Sequence, residues 1–280
     1  MSGLRDVALT LILMGLVPVS FLRPWVGVLA WSWIAYMAPH ALTWGFARTL
    51  PVAMAIGGAT LLGFFLSKER QRIPRTTGTL LLLTLAVDFI MTTTLGFDPA
   101  YSAGKLDWVL KAMLMGFVTM ALFQDRVRLR LLYLVIALSM GFYGLKGGLW
   151  VLRTGGAERV RGPGNTFFAD NNTMGLALCM VLPMLLYLSR EEPRRWMKIT
   201  LRFMFACTII GILFTYSRGA FLGLSLVLGV LIWRSPWRLR WSPRSSGSAS
   251  RPLPTRTVPR PATILWRPAS NHGHWAGPSR

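Results

Sequence analysis

The sequence predicts an all-α membrane protein, a polytopic bundle of about eight or nine transmembrane helices followed by a disordered basic tail. Three observations support this prediction. The 280 residues contain repeated apolar runs of about 15–20 residues, the length needed to cross about 30 Å of hydrocarbon. Charged residues make up only 15% of the chain, against about a quarter in ordinary soluble domains. The basic residues gather in short segments between the apolar runs and in residues 234–280.

The apolar runs are the candidate spans. In chain order they are 7–22, 25–38, 52–66, 79–95, 106–123, 130–150, 173–189, 199–215 and 219–233. Arg23 and Pro24 separate the first two, which are either two short spans or one helix broken at the proline. Two spans would place the N-terminus outside, whereas one broken helix would keep Arg5 inside.

The charges between the runs predict an orientation. Basic residues dominate segments 67–75, 124–130 and 189–198, and such segments favour the cytoplasmic side. The alternate segments, 96–107 and 151–172, then lie outside. This alternation also places residues 216–218 at the outer face.

Residues 234–280 have a different composition from the rest of the chain. They contain nine Arg and eight Pro but no Lys, Asp or Glu. Proline at this frequency excludes long helices, and the segment has too little patterned apolar surface to form a core. Two interpretations stay open, a polybasic tail that contacts lipid or a partner, and a GC-rich gene read out of frame. The second is favoured, which divides the chain into a membrane domain at 1–233 and a tail at 234–280.

The formal net charge is +21. In a soluble protein this would suggest nucleic acid as a partner, but here the loop bias and the tail account for it, so no nucleic acid is expected. The two cysteines, Cys179 and Cys207, both lie inside predicted spans and indicate packing residues rather than a disulfide or a metal site.

Arginines on the predicted outer face are the main candidate binding residues. Arg159 and Arg161 precede a Gly-Pro-Gly turn, and Asp170 or a neighbouring Asn then provides a helix N-cap close to Asn172. Arg218 follows at the start of the last span, on the same face. The planar guanidinium suits bidentate phosphate contact. Several outward arginines on a membrane bundle are what a lipid-linked diphosphate would require, and the alternative for Arg218 is a side chain at the end of a span that simply extends to the interface.

Asp88, Lys111 and Lys146 are ionisable residues within predicted spans. Asp88 is near the middle of the run 79–95, where a charge is costly and by default suggests function; the alternative is a carboxyl group that faces the bundle and is protonated or hydrogen-bonded. Lys111 and Lys146 lie toward the outer ends of their runs, where their side chains can extend to the interface. Lys146 is also a candidate functional residue, because it lies in the segment GFYGLKGG (141–148). Two glycine pairs, Gly144 with Gly148 and Gly219 with Gly223, predict close helix–helix contacts.

Four separated segments resemble one family. GNTFFADNNTMGLALCMVLP (Gly164 to Pro183) and YSRGAFLG (216–223) resemble the O-antigen ligase and polymerase superfamily. RPWVGVLAWSWIAYMAPHALTWGFA (23–47) and GFYGLKGG (141–148) are similar to the O-glycosylation ligases associated with exosortase A systems. The resemblance covers residues 4–233.

The resemblance implies a multi-pass glycosyltransferase of the bacterial inner membrane that is active at its periplasmic face. Its partners would be an undecaprenyl-diphosphate-linked glycan, a protein acceptor hydroxyl and the lipid bilayer. No metal and no cofactor are expected, because outward arginines would balance the leaving diphosphate. Arg218 is the leading diphosphate-binding candidate, and Arg161, Arg159 and Asn172 are weaker ones.

The chain departs from this family after the last apolar run. Family members continue into a large periplasmic loop with a histidine proposed as the general base, followed by further spans. This sequence has only His40, in an early loop, and His272 and His274, in the aberrant tail. The catalytic residue is therefore unknown, and this chain is expected to be inactive unless the missing part is supplied. The alternatives are a glycan polymerase and, in another class, a small transporter or channel subunit.

Overall fold

The computed structural model describes residues 2–43, 45–67, 73–164 and 166–234. The predicted basic tail beyond Arg234 lies outside these residues. The described chain is all-helical, which confirms the all-α part of the predicted fold class. Its nine α-helices are α1 (Ser2–Leu22), α2 (Pro24–Met37), α3 (Val52–Leu66), α4 (Thr77–Thr94), α5 (Pro99–Leu122), α6 (Arg126–Thr154), α7 (Asn171–Glu191), α8 (Arg195–Leu213) and α9 (Arg218–Trp233). Two short 3₁₀ helices, Pro39–Leu42 and Phe46–Thr49, connect α2 to α3.

Each predicted apolar run corresponds to one of these helices. Five of them, α1, α4, α6, α7 and α8, are long and apolar enough to cross a membrane. This is fewer than the eight or nine spans predicted, for two reasons. Helices α2, α3 and α9 have only 14, 15 and 16 residues. Any 18-residue stretch of α5 includes three charged residues, Lys105, Asp107 and Lys111.

Residue 23 separates two distinct helices. Pro24 is the first residue of α2, where its fixed φ is compatible with a helix and its missing N–H costs nothing. At the other end of α1, the carboxylate of Asp6 accepts a hydrogen bond from the Ala47 backbone N–H at 3.2 Å. The start of α1 therefore lies beside the connection that follows α2.

The core lies mainly between α6, α7 and α8. Its fully buried side chains include Met140, Leu182 and Leu201. A smaller cluster joins α1, α2 and α3, and a third, around Val28 and Val118, joins α2 to α5. Helix α9 packs on α7, and α4 packs mainly on α5.

Close packing of α6 against α8 uses the predicted glycine pair. A Cβ atom at Gly144 would overlap the Thr208 side chain, and one at Gly148 would overlap the Cys207 carbonyl oxygen. Small residues are therefore required at both positions, as in other close helix contacts. In the second predicted pair, a Cβ atom at Gly223 would contact Cys179 at an ordinary 3.5 Å. A Cβ atom at Gly219 would face open space apart from Ser217, the N-cap residue of the same helix.

The described parts of the three basic segments share one end of the bundle. The Arg130 guanidinium pairs with the Glu192 carboxylate at 3.0 Å, which joins the start of α6 to the end of α7. Pro74, which precedes α4, lines a shallow surface cleft together with Gln124 and Leu129. Residues 37–42, 156–164, 166–168 and 214–218 meet at the other end, which is called the cleft end below. Their contacts there build the candidate site.

Candidate anion-binding cleft

A cleft of about 240 Å³ opens at the cleft end of the bundle. One wall is a face of α6, and the opposite wall is the segment 159–163. Leu42, at the end of the first 3₁₀ helix, completes it. The lining residues are Leu42, Tyr143, Lys146, Gly147, Trp150, Arg159, Val160, Arg161, Gly162 and Pro163. The cleft thus brings together parts of the chain that are more than a hundred residues apart.

Helix α6 positions its share of the cleft by its own periodicity. Tyr143, Lys146, Gly147 and Trp150 are spaced by three or four residues, so they lie on one face of the helix. The Tyr143 hydroxyl donates a hydrogen bond to the carbonyl oxygen of Met37. This bond ties the cleft-lining face of α6 to the end of α2.

The connection from α6 to α7 is held in place by backbone hydrogen bonds. Two glycines with positive φ, Gly155 and Gly156, end α6 and turn the chain. The Val160 N–H then donates to the Phe214 carbonyl oxygen at 3.0 Å. The Gly162 N–H donates to the Phe168 carbonyl oxygen at 3.1 Å. The segment that carries the two arginines is therefore anchored to the end of α8 and to Phe168, which lies later in the same connection.

Val160 explains why Arg159 and Arg161 share the cleft. Its side chain is buried and faces Gly147, where an added Cβ atom would lie only 2.7 Å from Val160 Cγ1. Because side chains alternate along an extended segment, the residues on either side of an inward-facing valine point outward together. Arg159 and Arg161 are accordingly exposed at the cleft. Gly147 makes this close approach possible.

The cleft carries three positive charges and no acidic lining residue. The side chains of Lys146, Arg159 and Arg161 have no carboxylate partner anywhere in the described ranges. Other cations do find partners, as Lys111 does with Asp107 at 2.6 Å. An exposed, unneutralised group of Lys and Arg raises the local concentration of anions and offers several charge-assisted hydrogen bonds.

Arg218 and Asn172 form a separate group outside this lining. Arg218 is the exposed first residue of α9, after the N-cap Ser217. The Asn172 backbone N–H donates to Asp170, at the start of α7. The two helix starts are neighbours because the Asn171 side-chain amide donates to the Thr215 carbonyl oxygen at 2.9 Å. The four predicted diphosphate-binding residues therefore fall into two groups at one end of the bundle.

Tyr216 connects these two groups. Its hydroxyl donates to the Gly156 carbonyl oxygen at 2.8 Å, and its own φ of 53° is positive. A left-handed conformation is uncommon for tyrosine and persists where the surroundings enforce it. The hydrogen bond to Gly156 is such a constraint, since it joins the turn before α9 to the turn after α6.

The sequence did not single out Tyr143 and Trp150 as site residues. Trp150 is 49% exposed and lines the cleft one helical turn beyond Lys146. Trp150 lies four residues after Lys146 and therefore on the same face of α6, and this spacing could have identified Trp150 from the sequence. Asp88, the other intramembrane candidate, is exposed on α4 and does not line the cleft.

His40 is the one histidine in the described chain. It lies in the first 3₁₀ helix, two residues before Leu42, and does not itself line the cleft. Burial lowers the pKa of its imidazole below the ordinary value of 6.5. Its Nδ1 atom is buried without a hydrogen-bond partner among the described residues. His272 and His274 lie outside the described residues.

Asp170 should stabilise the start of α7 in a pH-dependent way. Its carboxylate accepts hydrogen bonds from the N–H groups of Asn172 and Thr173, and the Thr173 backbone bond is the main cause that lowers its pKa from 3.8. The cap stabilises the folded protein at pH values above the pKa that this carboxyl group has in the unfolded chain. The stabilisation is lost as the pH falls through the lower pKa that the group has in the folded protein.

We expect Asp170→Ala to lower the unfolding midpoint at pH 7 by roughly 2–4 °C, measured by thermal denaturation in detergent.

Asp170→Asn provides the matched control. Asparagine also caps helices but does not titrate, so this variant should stay near the wild-type midpoint at pH 7. Between pH 5 and pH 3 its midpoint should fall less than that of the wild-type protein. Equal falls for the two proteins would contradict the assignment of the pKa shift to this cap.

One comparison with known proteins finds a match. A family model described as a family of unknown function (DUF5935) matches residues 4–193. Neither the curated proteins nor the solved structures contain a match. The matched range extends from α1 to the segment after α7, so it includes all the residues that line the cleft, whereas α8 and α9 follow it.

Proposed function

Since the chain belongs to the DUF5935 family, whose function is unknown, we propose a function from its cleft: the protein binds the diphosphate of an undecaprenyl-linked glycan. In this proposal the protein is a glycan ligase that transfers this glycan to a protein hydroxyl. The observation that carries the proposal is the cleft with three cations and no acidic lining residue, at one end of an apolar helical bundle. A lipid-linked diphosphate combines the two properties such a site selects, a membrane-embedded tail and a clustered negative charge.

The proposal includes an orientation. Basic segments favour the cytoplasm, so the end that carries Arg130 and Arg195 faces inward. The cleft end then faces the periplasm of a bacterial inner membrane, where lipid-linked glycans are presented to their acceptors. On this proposal the four helices that are too short or too charged to be counted as spans above also cross the membrane. Helices α2, α3 and α9 cross as short spans, and α5 crosses with its charged residues toward the outer end.

The reaction explains why cations are useful here. The acceptor hydroxyl oxygen forms a bond to the anomeric carbon of the glycan, and the bond from that carbon to the diphosphate oxygen breaks. The diphosphate leaves with the electron pair and stays on its lipid. Lys146, Arg159 and Arg161 stabilise this developing negative charge. The acceptor proton needs a base, and the described residues that line the cleft include no histidine or carboxylate. The base is therefore supplied from outside this cleft.

The resemblance to O-antigen ligases and polymerases supports the same proposal independently. Its motif GNTFFADNN begins in the turn that follows Arg161 and ends at the start of α7. Its second motif, YSRGAFLG, contains Arg218 and begins at Tyr216, whose hydroxyl bonds Gly156. Both motifs thus contribute to the end of the bundle that carries the cleft.

Direct binding tests the proposal. The full chain in lipid nanodiscs should bind undecaprenyl diphosphate at least about tenfold more tightly than undecaprenyl monophosphate, because the second phosphate adds a charge-assisted contact. Undecaprenol, which has no phosphate, should bind more weakly still. Titration with radiolabelled lipids measures all three affinities. Equal affinities would show that the lipid tail alone is recognised, and the proposed function would be wrong.

A further inference from the structure

Helix α4 is exposed on every side except its contact with α5. It is one of the five helices that are long and apolar enough to cross a membrane, yet none of its residues is buried. Its half-buried positions are 79, 82, 86 and 93. Two of them meet α5, since Thr79 lies 3.8 Å from the sulfur of Met120 and Leu82 lies beside Gly116. Their spacing of three, four and seven residues defines one face of α4, directed at α5.

A polar stripe runs along the opposite face of α4. It consists of Thr84, Asp88 and Thr92, spaced by four residues, and is called the α4 stripe below. At 100° per residue Thr84 and Asp88 lie about 120–160° around the helix from residues 82 and 86, and Thr92 lies at the edge of this face, about 80° from residue 82. All three side chains are exposed. The polar residues thus point away from the rest of the described chain.

Asp88 has an unfavourable position for a free carboxylate. It lies roughly 17 Å along a helix roughly 27 Å long, so it is near mid-depth of the span. Within the described residues no side chain bonds or pairs with its carboxyl group. A charge at this depth is costly in lipid, and such residues ordinarily face a partner or a cavity. Here the described bundle supplies neither.

The α4 stripe offers acceptors and no spare donor. The Thr84 hydroxyl already donates to the Leu80 carbonyl oxygen at 3.0 Å, and the Thr92 hydroxyl donates to that of Asp88 at 2.6 Å. Both hydroxyl oxygens, like the carboxylate, can still accept hydrogen bonds. The complement of this surface is therefore a donor with a positive charge.

We propose that the α4 stripe is a docking surface for a transmembrane helix of another membrane protein, which carries one lysine or arginine near mid-depth. The cation of that helix pairs with Asp88 and donates to the neighbouring threonine oxygens. A symmetric contact with α4 of a second copy is disfavoured, because it would bring two Asp88 carboxyl groups together. The cations of the cleft are on other elements and serve the site described above.

Synthetic helices test the proposal without knowledge of the natural partner. The full chain is reconstituted in phosphatidylcholine vesicles with polyleucine peptides of about 20 residues that carry Lys, Leu or Glu at the centre. Fluorescence energy transfer measures association. We expect the Lys peptide to bind at least tenfold more tightly than the Leu peptide, and the Glu peptide to bind no better than the Leu peptide.

Variants assign the effect to the stripe. Asp88→Asn keeps the size of the side chain and should reduce binding of the Lys peptide to the level of the Leu peptide. Asp107→Asn removes the same charge from α5 and should leave the preference for Lys intact. Thermal unfolding verifies that each variant is folded. The proposal is overturned if wild-type protein shows no preference for Lys, or if Asp88→Asn retains it. Self-association of the chain that depends on Asp88 would instead identify a second copy as the occupant, which also overturns it.

Discussion

Replacing Arg159 and Arg161 together by glutamine should lower the affinity for undecaprenyl diphosphate about 100-fold. The two arginines flank the buried Val160 and lie exposed at the cleft with no acidic partner in the described chain. Each charge-assisted hydrogen bond to phosphate accounts for roughly a tenfold change in affinity. Glutamine keeps most of the side-chain length and polarity, so the change isolates the charge and the planar fork. Lipid titration in nanodiscs measures the loss.

A matched pair at the other end of the bundle controls for net charge. Arg190→Gln with Arg195→Gln removes two exposed arginines beside the α7–α8 connection, and this variant should bind as the wild-type protein does. Arg159→Lys with Arg161→Lys keeps the charge but loses bidentate geometry, so its affinity should be intermediate. A similar loss in both glutamine pairs would mean that overall charge, and not the cleft, attracts the diphosphate.

Replacing Gly148 by alanine should destabilise the bundle more than replacing any other glycine of α6 by alanine. The new Cβ atom would overlap the Cys207 carbonyl oxygen, which belongs to the α8 backbone and cannot rotate away. Helices α6 and α8 would have to separate, and their contact contributes much of the main core. Overpacking of this kind costs about 2–3 kcal/mol, so the unfolding midpoint in detergent should fall by about 5–10 °C.

Gly58→Ala is the control for this change. Gly58 lies inside α3, and nothing approaches the position of an added Cβ within 4 Å. Alanine has the higher helix propensity, so this variant should be as stable as the wild-type protein or slightly more stable. If Gly148→Ala unfolds at the same temperature as Gly58→Ala, the close contact between α6 and α8 is not as described above.

The helices themselves could be predicted from the sequence because their signals are local. Every apolar run became one α-helix, and the Asp170 cap marks the start of α7 as expected. The break at Pro24 had two possible outcomes, since proline is compatible both with a kink and with the first turn of a new helix. The contact between Asp6 and Ala47 selects the second outcome. That contact joins residues 41 positions apart, which no local pattern reports.

The grouping of the candidate residues could be predicted only in part. Alternating loop charges indicated that Arg159, Arg161 and Arg218 share one face, and they do lie at one end of the bundle. Lys146 joined the two cleft arginines, whereas Arg218 did not. The reason is that Val160 packs against Gly147 on α6, and this packing determines which side chains on α6 the two arginines meet.

By itself, the sequence determined that this chain is helical, that five of its described helices are long and apolar enough to cross a membrane, and where most of the described helices begin and end. These properties depend on composition and on intervals of three to four residues. Only the tertiary structure decided that Lys146 and Trp150 face Arg159 and Arg161, and that Asp88 faces away from the bundle. Both results depend on which helix faces pack together, because packing in three dimensions joins residues whose distance along the chain carries no signal.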